Sequence, residues 1–541
     1  MSILKKSSSQ DSGRFYIMAT GGAVALTVLM VLTILTVVAT QGLGYFWPAP
    51  LIRYDMQDGT ALLAEYAGED TVHTTGEKKV RIKVGNRDFY GQDFRWISAD
   101  AIRQEGTPPD AIRLERVEFG DFHGYLKELR SSWGDAAGSG ASDWERFEQA
   151  LATAEDTRAH LHDAGGAVGD LGRRINGLDD DLLALAYAEK QDGVSRAAEM
   201  ARVKEQAAAV RAIFDARNKE HVSATQAARK HTAVVRDEAG REKEIPLLEI
   251  IRAQRPNTMG VLAKAGAYLE RVRELLFDEP RESNTEGGLF PAIFGTVMMV
   301  LLMSMFSLPL GVVTAIYLRE YAREGLLVRM VRIAVYNLAG VPSIVFGVFG
   351  LGFFVYGVGG SLDGLFFAHR LPTPTFGTGG ILWASLTLAL LTVPVVIVAT
   401  EEGLAAIPRG MREASLALGA TKFQTVMRVV MPMAIPGILT GFILAMARAV
   451  GEVAPLMVTG VVKLAPSLPI DGTFPFIHLE RKFMHLGFHI YDVGFQSPNV
   501  EAAKPMVFVT TLLLILIVLM LSISAIWLRN NMRRKFTTSA F

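Results

Sequence analysis

Six stretches of this chain stay apolar over the length a helix needs to cross a bilayer, about 20 residues. They run over residues 17–40, 290–318, 333–357, 380–400, 433–461 and 506–528. Lipid offers no hydrogen-bond partner to a bare peptide group, so each stretch must be helical. The first follows Lys5, Lys6 and Arg14, as a secretory leader would. Its apolar run is too long for a typical leader core, so it reads as a retained anchor.

Charge is segregated along the chain. The 541 residues balance to a formal charge of zero, which gives no overall field for nucleic acid. Charged residues concentrate between about residues 50 and 285. There are no cysteines, which excludes disulfides, thiolate metal sites and cysteine nucleophiles together.

Short loops set the expected orientation, because Lys and Arg accumulate on the cytoplasmic side. One side receives Lys5, Lys6 and Arg14, then Arg319, Arg323, Arg329 and Arg332, then Arg409, Arg412, Lys422 and Arg428, and finally Arg529, Arg533, Arg534 and Lys535. The opposite loop at 358–379 carries only Arg370, and that at 462–505 carries four basic residues over a longer span. Both termini are therefore expected in the cytoplasm, with residues 1–16 and 531–541 as cytoplasmic ends. Residues 17–40 form the anchor, 41–289 an extracytoplasmic domain, and 290–530 a five-helix membrane domain. From about 50 to 130 the external domain mixes β-prone pieces such as "KKVRIKVGN", "DFRWIS" and "IRLERVEFG". From about 141 to 240 it is rich in Ala, Glu, Arg and Gln, which favours long helices. Breaks at "DAGGAVGD" (163–170) and near "DEAGREKEIP" predict a helical hairpin. The expected fold class is mainly α, with a mostly helical inserted domain containing some β.

Between Thr400 and Met433 the chain leaves the membrane for about thirty residues and returns. Pro408 suits the first turn of a helix. Leu404, Ile407, Met411, Leu416 and Leu418 supply an apolar side, and Arg409, Arg412 and Glu413 a polar one. Gly419 permits a reversal that a side chain would resist. "ATKFQTVMRVVM" then predicts a second helix ended by Pro432. By physics alone this knob either lies on the headgroups or fills a cleft in a partner.

Arg448 and Glu452 stand four apart inside an otherwise apolar stretch, which predicts one helix face. Arg448 lies roughly 24 Å along a helix from Pro432, in the outer part of the membrane. Charges there are costly and mark either a mutual salt bridge or a transport pathway. No G-x-x-x-x-G-K-[ST] loop is present, so this chain is not expected to bind ATP. No nucleophile motif is visible, and catalysis is not expected. Neither His160 and His162 nor His485 and His489 come with carboxylates in zinc spacing, so the sequence predicts no metal site.

The stretch from Glu413 to Pro432 resembles the EAA loop of ABC importer membrane subunits. Glu413, Ala414 and Ser415 stand at the first three positions, Gly419 and Ala420 follow at the family's glycine, and Val429, Met431 and Pro432 close the pattern. Ser415 for Ala, and Val429 and Met431 for Ile and Leu, are small departures. With "NLAGVPSIVFGVFGLGFF" (337–354) and "PGILTGFILAMARAVGEVAPLM" (436–457), the resemblance narrows to PstA-type permeases of phosphate importers over about residues 290–530. The domain at 41–289 resembles an extension that some members carry.

That resemblance implies a six-helix ABC importer permease in the bacterial inner membrane, with residues 41–289 periplasmic and 401–432 as the loop that couples to ATPase subunits. It implies no cofactor on this chain, with ATP and magnesium on partner subunits. It implies as partners a second, PstC-type permease, two PstB-type ATP-binding subunits, a periplasmic phosphate-binding protein, phosphate itself and the bilayer, and no nucleic acid. It assigns Arg448 and Glu452 to the substrate pathway. The rival substrates are other oxyanions: phosphonate, molybdate or sulfate. The readings from other classes are a sensor, which predicts a C-terminal cytoplasmic signalling domain where only thirteen residues follow Leu528, and a self-contained secondary transporter, in which the EAA-like knob would have no purpose.

Overall fold

Ala-, Leu- and Val-rich runs become helices here, several of them with a proline inside (Pro309, Pro394, Pro436, Pro505), and the Gly, Asn and Asp clusters between β-branched residues become turns. The computed structural model describes residues 4–137, 140–472, 474–497 and 500–537; the ends of the expected terminal segments, 1–3 and 538–541, lie outside them. The first helix, α1 (Leu4–Gly44), delivers the chain into a β-rich domain. There β1 (Leu51–Met56), β2 (Ala61–Thr71), β3 (Lys78–Lys83), β4 (Phe94–Ser98) and β5 (Ile102–Gly106) form one antiparallel sheet in the order β4-β3-β2-β1-β5. Its inner face buries Tyr54, Leu62, Ile82 and Ile97.

A second sheet begins with β6 (Ile112–Arg116) and β7 (Phe122–Arg130). It is interrupted by two long helices, α2 (Asp143–Asp192) and α3 (Ala197–Ala228). It is completed by β8 (Thr232–Arg236), β9 (Glu242–Pro246) and β10 (Ile250–Gln254), in the order β10-β6-β7-β8-β9. Phe147, Ala150 and Ala154 root α2 in that sheet's core beside Leu114 and Phe122. The helical arm is therefore an insertion into a hairpin of a β domain. A last domain helix, α4 (Val261–Phe277), leads back to the membrane bundle.

The arm's turn is not where the glycines of 163–170 predicted it. Helix α2 runs through them, and the reversal comes at Gly193, φ +70°, which caps α2 by donating to the Glu189 carbonyl. A Cβ on Gly165 would lie 3.4 Å from the His221 ring, and one on Gly172 3.8 Å from Phe214. These are ordinary contact distances, so the glycines neither end α2 nor are required by the packing of α3. The second expected break, near "DEAGREKEIP", is the turn of the β8–β9 hairpin.

Among the described residues, five further helices long and apolar enough to cross a membrane follow. They are α5 (Phe290–Tyr321), α7 (Ser343–Phe366), α8 (Ile381–Ala405), α10 (Lys422–Gly451) and α13 (Ala503–Met532), with α1 apolar over Phe15–Gly44. Between them lie α6 (Leu326–Leu338), α9 (Arg409–Ala417), α11 (Ala454–Thr459) and α12 (Leu486–Tyr491). The bundle core joins Met299 and Met303 of α5, Leu388 of α8, Met446 of α10 and Leu456 of α11. Helix α1 stands at the edge and touches α13, where a Cβ on Gly42 would meet the Phe508 carbonyl oxygen at 3.3 Å.

Two expected stretches shift. Residues 333–357 are not one helix: Pro342 is extended (φ −55°, ψ 136°), so α6 ends at Leu338 and α7 starts at Ser343. The residue before a proline is pushed out of the α region, which places the break at Gly340–Val341. The fifth span starts at Lys422, not 433, because Pro432 does not end the preceding helix. A wide π turn over Val426–Val430 precedes it, and such a turn absorbs both the proline's missing N–H and its bulky ring.

Candidate functional site

The hairpin between α8 and α10 is held from below and open above. Leu404 and Ile407 are fully or nearly buried against Val430 and Ala434. Arg412, expected on a polar outer side, turns inward. Its guanidinium donates to Glu320 Oε1 (2.8 Å) and to the carbonyl oxygens of Leu404 and Ile407 (both 2.9 Å). One side chain thus ties α9 to the ends of α5 and α8. Arg332 adds a longer contact to Glu401, 3.5 Å.

The turn itself is built from Gly419 at φ +84°, with its N–H donating to the Leu416 carbonyl. The Ala420 N–H donates to the Ser415 carbonyl, and the hydroxyls of Ser415 and Thr425 meet at 3.0 Å across the hairpin. Thr421 and Gln424 form a reciprocal capping box that starts α10. Nothing lies within 4 Å of a Cβ built on Gly419, so its need for glycine is conformational. Glu413 and Ala414 are exposed.

The apolar side expected along this hairpin divides in two. Leu404 and Ile407 pack inward, whereas Met411, Leu416, Leu418, Phe423 and Met427 are exposed, Leu418 to 89%. Contiguous exposed apolar side chains mark interaction surfaces. The order of spans puts this hairpin at the bundle end away from the β domain.

The charged pair differs from its expected geometry. Helix α10 ends at Gly451, and Glu452 is extended (φ −81°, ψ 127°) before α11 begins. The two residues therefore do not share a continuous helix. Arg448 Nε still lies 3.5 Å from Glu452 Oε1, beyond good hydrogen-bond geometry. Their side chains are 36% and 21% exposed, so the chain's own core covers neither. The break is packed tightly on its far side: a Cβ on Gly347 would lie 2.7 Å from Pro455 Cα.

The histidines near α12 are structural. His485 caps α12 by accepting from the Gly487 and Phe488 N–H groups. His489 bridges the Asn284 carbonyl and the Thr510 hydroxyl.

A buried charge cluster in the β domain was not visible in the sequence. Glu115 meets Arg252, Arg271 and Arg281 at 2.8, 3.1 and 2.6 Å. Lys83 meets Asp121 at 2.5 Å, and Arg113 meets Glu65 at 2.9 Å. Burial opposes the charge on Asp121, but Lys83 and then Arg113 outweigh it and hold the carboxyl well below the usual range. Burial pushes Glu286 up to about 7, with Asp121 and Glu115 adding to it. Residues from strands distant in sequence meet here, and only alternation hinted that any would face inward.

A polytopic bundle with a broken span and an apolar hairpin protruding at one end defines a multi-pass membrane protein of the transport-permease kind. The family model "Binding-protein-dependent transport system inner membrane component" matches residues 307–537. The probable ABC transporter permease protein YqgI of Bacillus subtilis is 31% identical over 261 residues, covering 47% of this chain and 81% of that protein. The chain belongs to this family of ABC transporter permeases. It is a transporter subunit that works with other ABC transporter subunits, and ATP hydrolysis resides on separate ones.

The phosphate transport system permease protein PstA 1 of Mycobacterium tuberculosis (strain CDC 1551 / Oshkosh) is 40% identical over 172 residues, 32% of this chain and 51% of that protein. The chain thus spans about half the length of this relative. The probable phosphate transport system permease protein PstA of Methanocaldococcus jannaschii is 32% identical over 221 residues, 40% of this chain and 67% of that protein. Among solved structures, an inward-facing MetNI methionine ABC transporter aligns with a TM-score of 0.34 at 20% identity, over 45% of this chain and 95% of that one. A bacterial alginate ABC importer aligns with a TM-score of 0.34 at 13% identity, over 48% and 83%.

Proposed function

We propose that this chain is one of two permease subunits of an ATP-driven importer for inorganic phosphate in the bacterial inner membrane. The observation that carries this reading is the 401–432 hairpin. It exposes Leu416, Leu418 and Phe423 around a glycine turn, while Arg412 clamps its base to two spans. Such a knob suits a groove on an ATP-binding subunit, and the clamp passes its displacement to α5 and α8. The names of the mycobacterial and archaeal relatives support phosphate as the cargo.

The orientation follows from the basic residues at the hairpin end, which lies in the cytoplasm with both termini. The domain at 41–289 is then periplasmic, where a soluble phosphate-binding protein delivers its ligand. A second, PstC-type permease completes the pathway, and two PstB-type subunits carry the ATP and magnesium. Neither ATP nor that magnesium is expected on this chain.

Arg448 and Glu452 serve the pathway. A phosphate crossing hydrocarbon must exchange water for fixed donors, and a guanidinium gives two at once without losing its charge. Both side chains are part-exposed at a helix break, facing where a second subunit or a water-filled lane would lie. Glu452 holds Arg448 when the lane is empty and accepts from a protonated phosphate when it is filled.

The test is uptake of labelled phosphate into vesicles carrying the assembled complex. Arg448→Gln is expected to abolish uptake while the ATPase subunits still copurify. Normal uptake in that variant overturns the pathway role. Stronger competition by sulfate, molybdate or phosphonate than by phosphate overturns the cargo.

A further inference from the structure

Three side chains meet between the two sheets of the β domain. Glu65 comes from β2, Asp121 from the residue before β7, and His123 from β7 itself. One ligand atom from each lies within 4.8 Å of the others, and all three residues are buried. His123 is fully buried, yet among the described residues neither of its ring nitrogens has a hydrogen-bond partner. Glu65 Oε1 lies 3.7 Å from its Nε2. Leaving a buried polar group without a partner costs about 1–3 kcal/mol.

The surroundings hold that ring in place. Asn86 brackets the His123 backbone, accepting from its N–H at 2.7 Å and donating to its carbonyl at 2.9 Å. Gly85, at φ +62°, lets the covering loop pass, since a Cβ there would lie 2.6 Å from the Asp121 carbonyl and 3.3 Å from His123 Nδ1. Lys83 holds Asp121 through Oδ2, and Arg113 holds Glu65 through Oε1. Each carboxylate has two oxygens and about four acceptor positions, so these contacts leave room for a further partner. Outer contacts of this kind orient carboxylates toward a metal in known sites. Glu65 and Asp121 also line a cavity of about 600 Å³ between the domain, α1 and α13, which is a route of entry.

We propose that Glu65, Asp121 and His123 bind one divalent first-row metal ion of the zinc or manganese class. Two carboxylates and a neutral imidazole form an O₂N set that suits such ions, with a water completing the shell. The site is distinct from the transport pathway, and its ion pins β2 to β7 above the membrane bundle.

The full-length chain, purified in detergent and stripped with chelator, is dialysed separately against zinc and manganese, and bound metal is measured by mass spectrometry. The expected result is one ion of at least one of these metals per wild-type chain. His123→Gln and Glu65→Gln should weaken that binding at least about 10-fold. His160→Gln and His162→Gln, on the exposed arm, should leave it unchanged. Failure of the wild-type chain to retain either metal overturns the proposal, as does retention that survives His123→Gln. Absorption spectroscopy of the cobalt-loaded wild-type chain is independent of whether the variants fold. One imidazole among oxygen ligands is expected, and none, or two or more, overturns the assignment.

Discussion

Arg370, on the loop between α7 and α8, grips Asp180 in the C-terminal half of α2 through both carboxylate oxygens, each at 2.5 Å. His369 adds a third contact at 3.2 Å. The helical arm of the external domain therefore rests on a loop of the transport bundle. Two more ties fasten the same halves: Arg81 to Glu501 at 2.6 Å, and the Asn284 amide to the Lys463 carbonyl at 2.8 Å. The domain is thus tied to the bundle at the α7–α8 loop, just before α13 and just after α11.

Breaking that grip should loosen the arm without unfolding it. Asp180 is part-exposed, so Asp180→Ala is expected to cost less than about 1 kcal/mol of global stability. Hydrogen exchange over 367–379 and over the C-terminal half of α2 should nevertheless quicken. Arg370→Lys should give most of the same effect, because an ammonium cannot span both oxygens. Unchanged exchange in Asp180→Ala removes the arm from the mechanical path.

Gly419 is held at φ +84° with open space around it. Gly419→Ala is expected to destabilise the hairpin by about 1–2 kcal/mol, the cost of a left-handed residue bearing a Cβ. Gly419→Asn should recover much of that loss, since asparagine visits this region more readily. Exchange rates over 409–425, alongside ATPase activity of the assembled complex, measure both effects. Equal behaviour of the alanine and asparagine variants contradicts this account.

Leu418 touches little of its own chain. Leu418→Asp is expected to leave thermal stability within about 0.5 kcal/mol of the wild type, as for surface sites generally. Binding of ATPase subunits should weaken about 30-fold or more, the factor for losing a contact worth about 2 kcal/mol. Quantitative copurification reads the change. Full retention of those subunits would place the docking surface elsewhere.

Glu286 carries a sign that can be checked. Its ordinary pKa is 4.5, and in the fold it is pushed up to about 7 by burial and by Asp121 and Glu115. Between those values the folded chain holds a proton that the unfolded chain has released. Stability contributed at this site therefore falls as pH rises from about 4.5 to about 7 and stays reduced above it. Glu286→Gln cannot ionise, so the variant should gain on the wild type over that window. Unfolding midpoints of the two proteins from pH 4 to pH 8 should diverge upward with pH; parallel curves would show that Glu286 ionises normally.

Much of this protein was legible one segment at a time. Six apolar runs, the Gly419 reversal, the Pro408 start and the β-prone pieces all depend on neighbours a few residues away, and hydrogen bonding in lipid leaves such segments one conformation. The failures were also local signals, overruled by packing. The glycines at 163–170 looked like a break, but α2 runs through them packed along α3. Pro432 looked like an end but follows a π turn, and Glu452 looked helical but lies at the break beyond Gly451. Arg412 looked solvent-facing, yet acceptors at the ends of two spans and in the turn after the second draw it in.

The tertiary structure alone decided which distant groups meet. Glu65, Asp121 and His123 share a site because β2 and β7 face each other across two sheets, and Arg370 finds Asp180 because α2 leans over the bundle. Periodicity records which face of an element turns inward, not which other element it will find there. That pairing is set by chain closure and by the burial of whole faces at once, so it becomes visible only when the fold is complete.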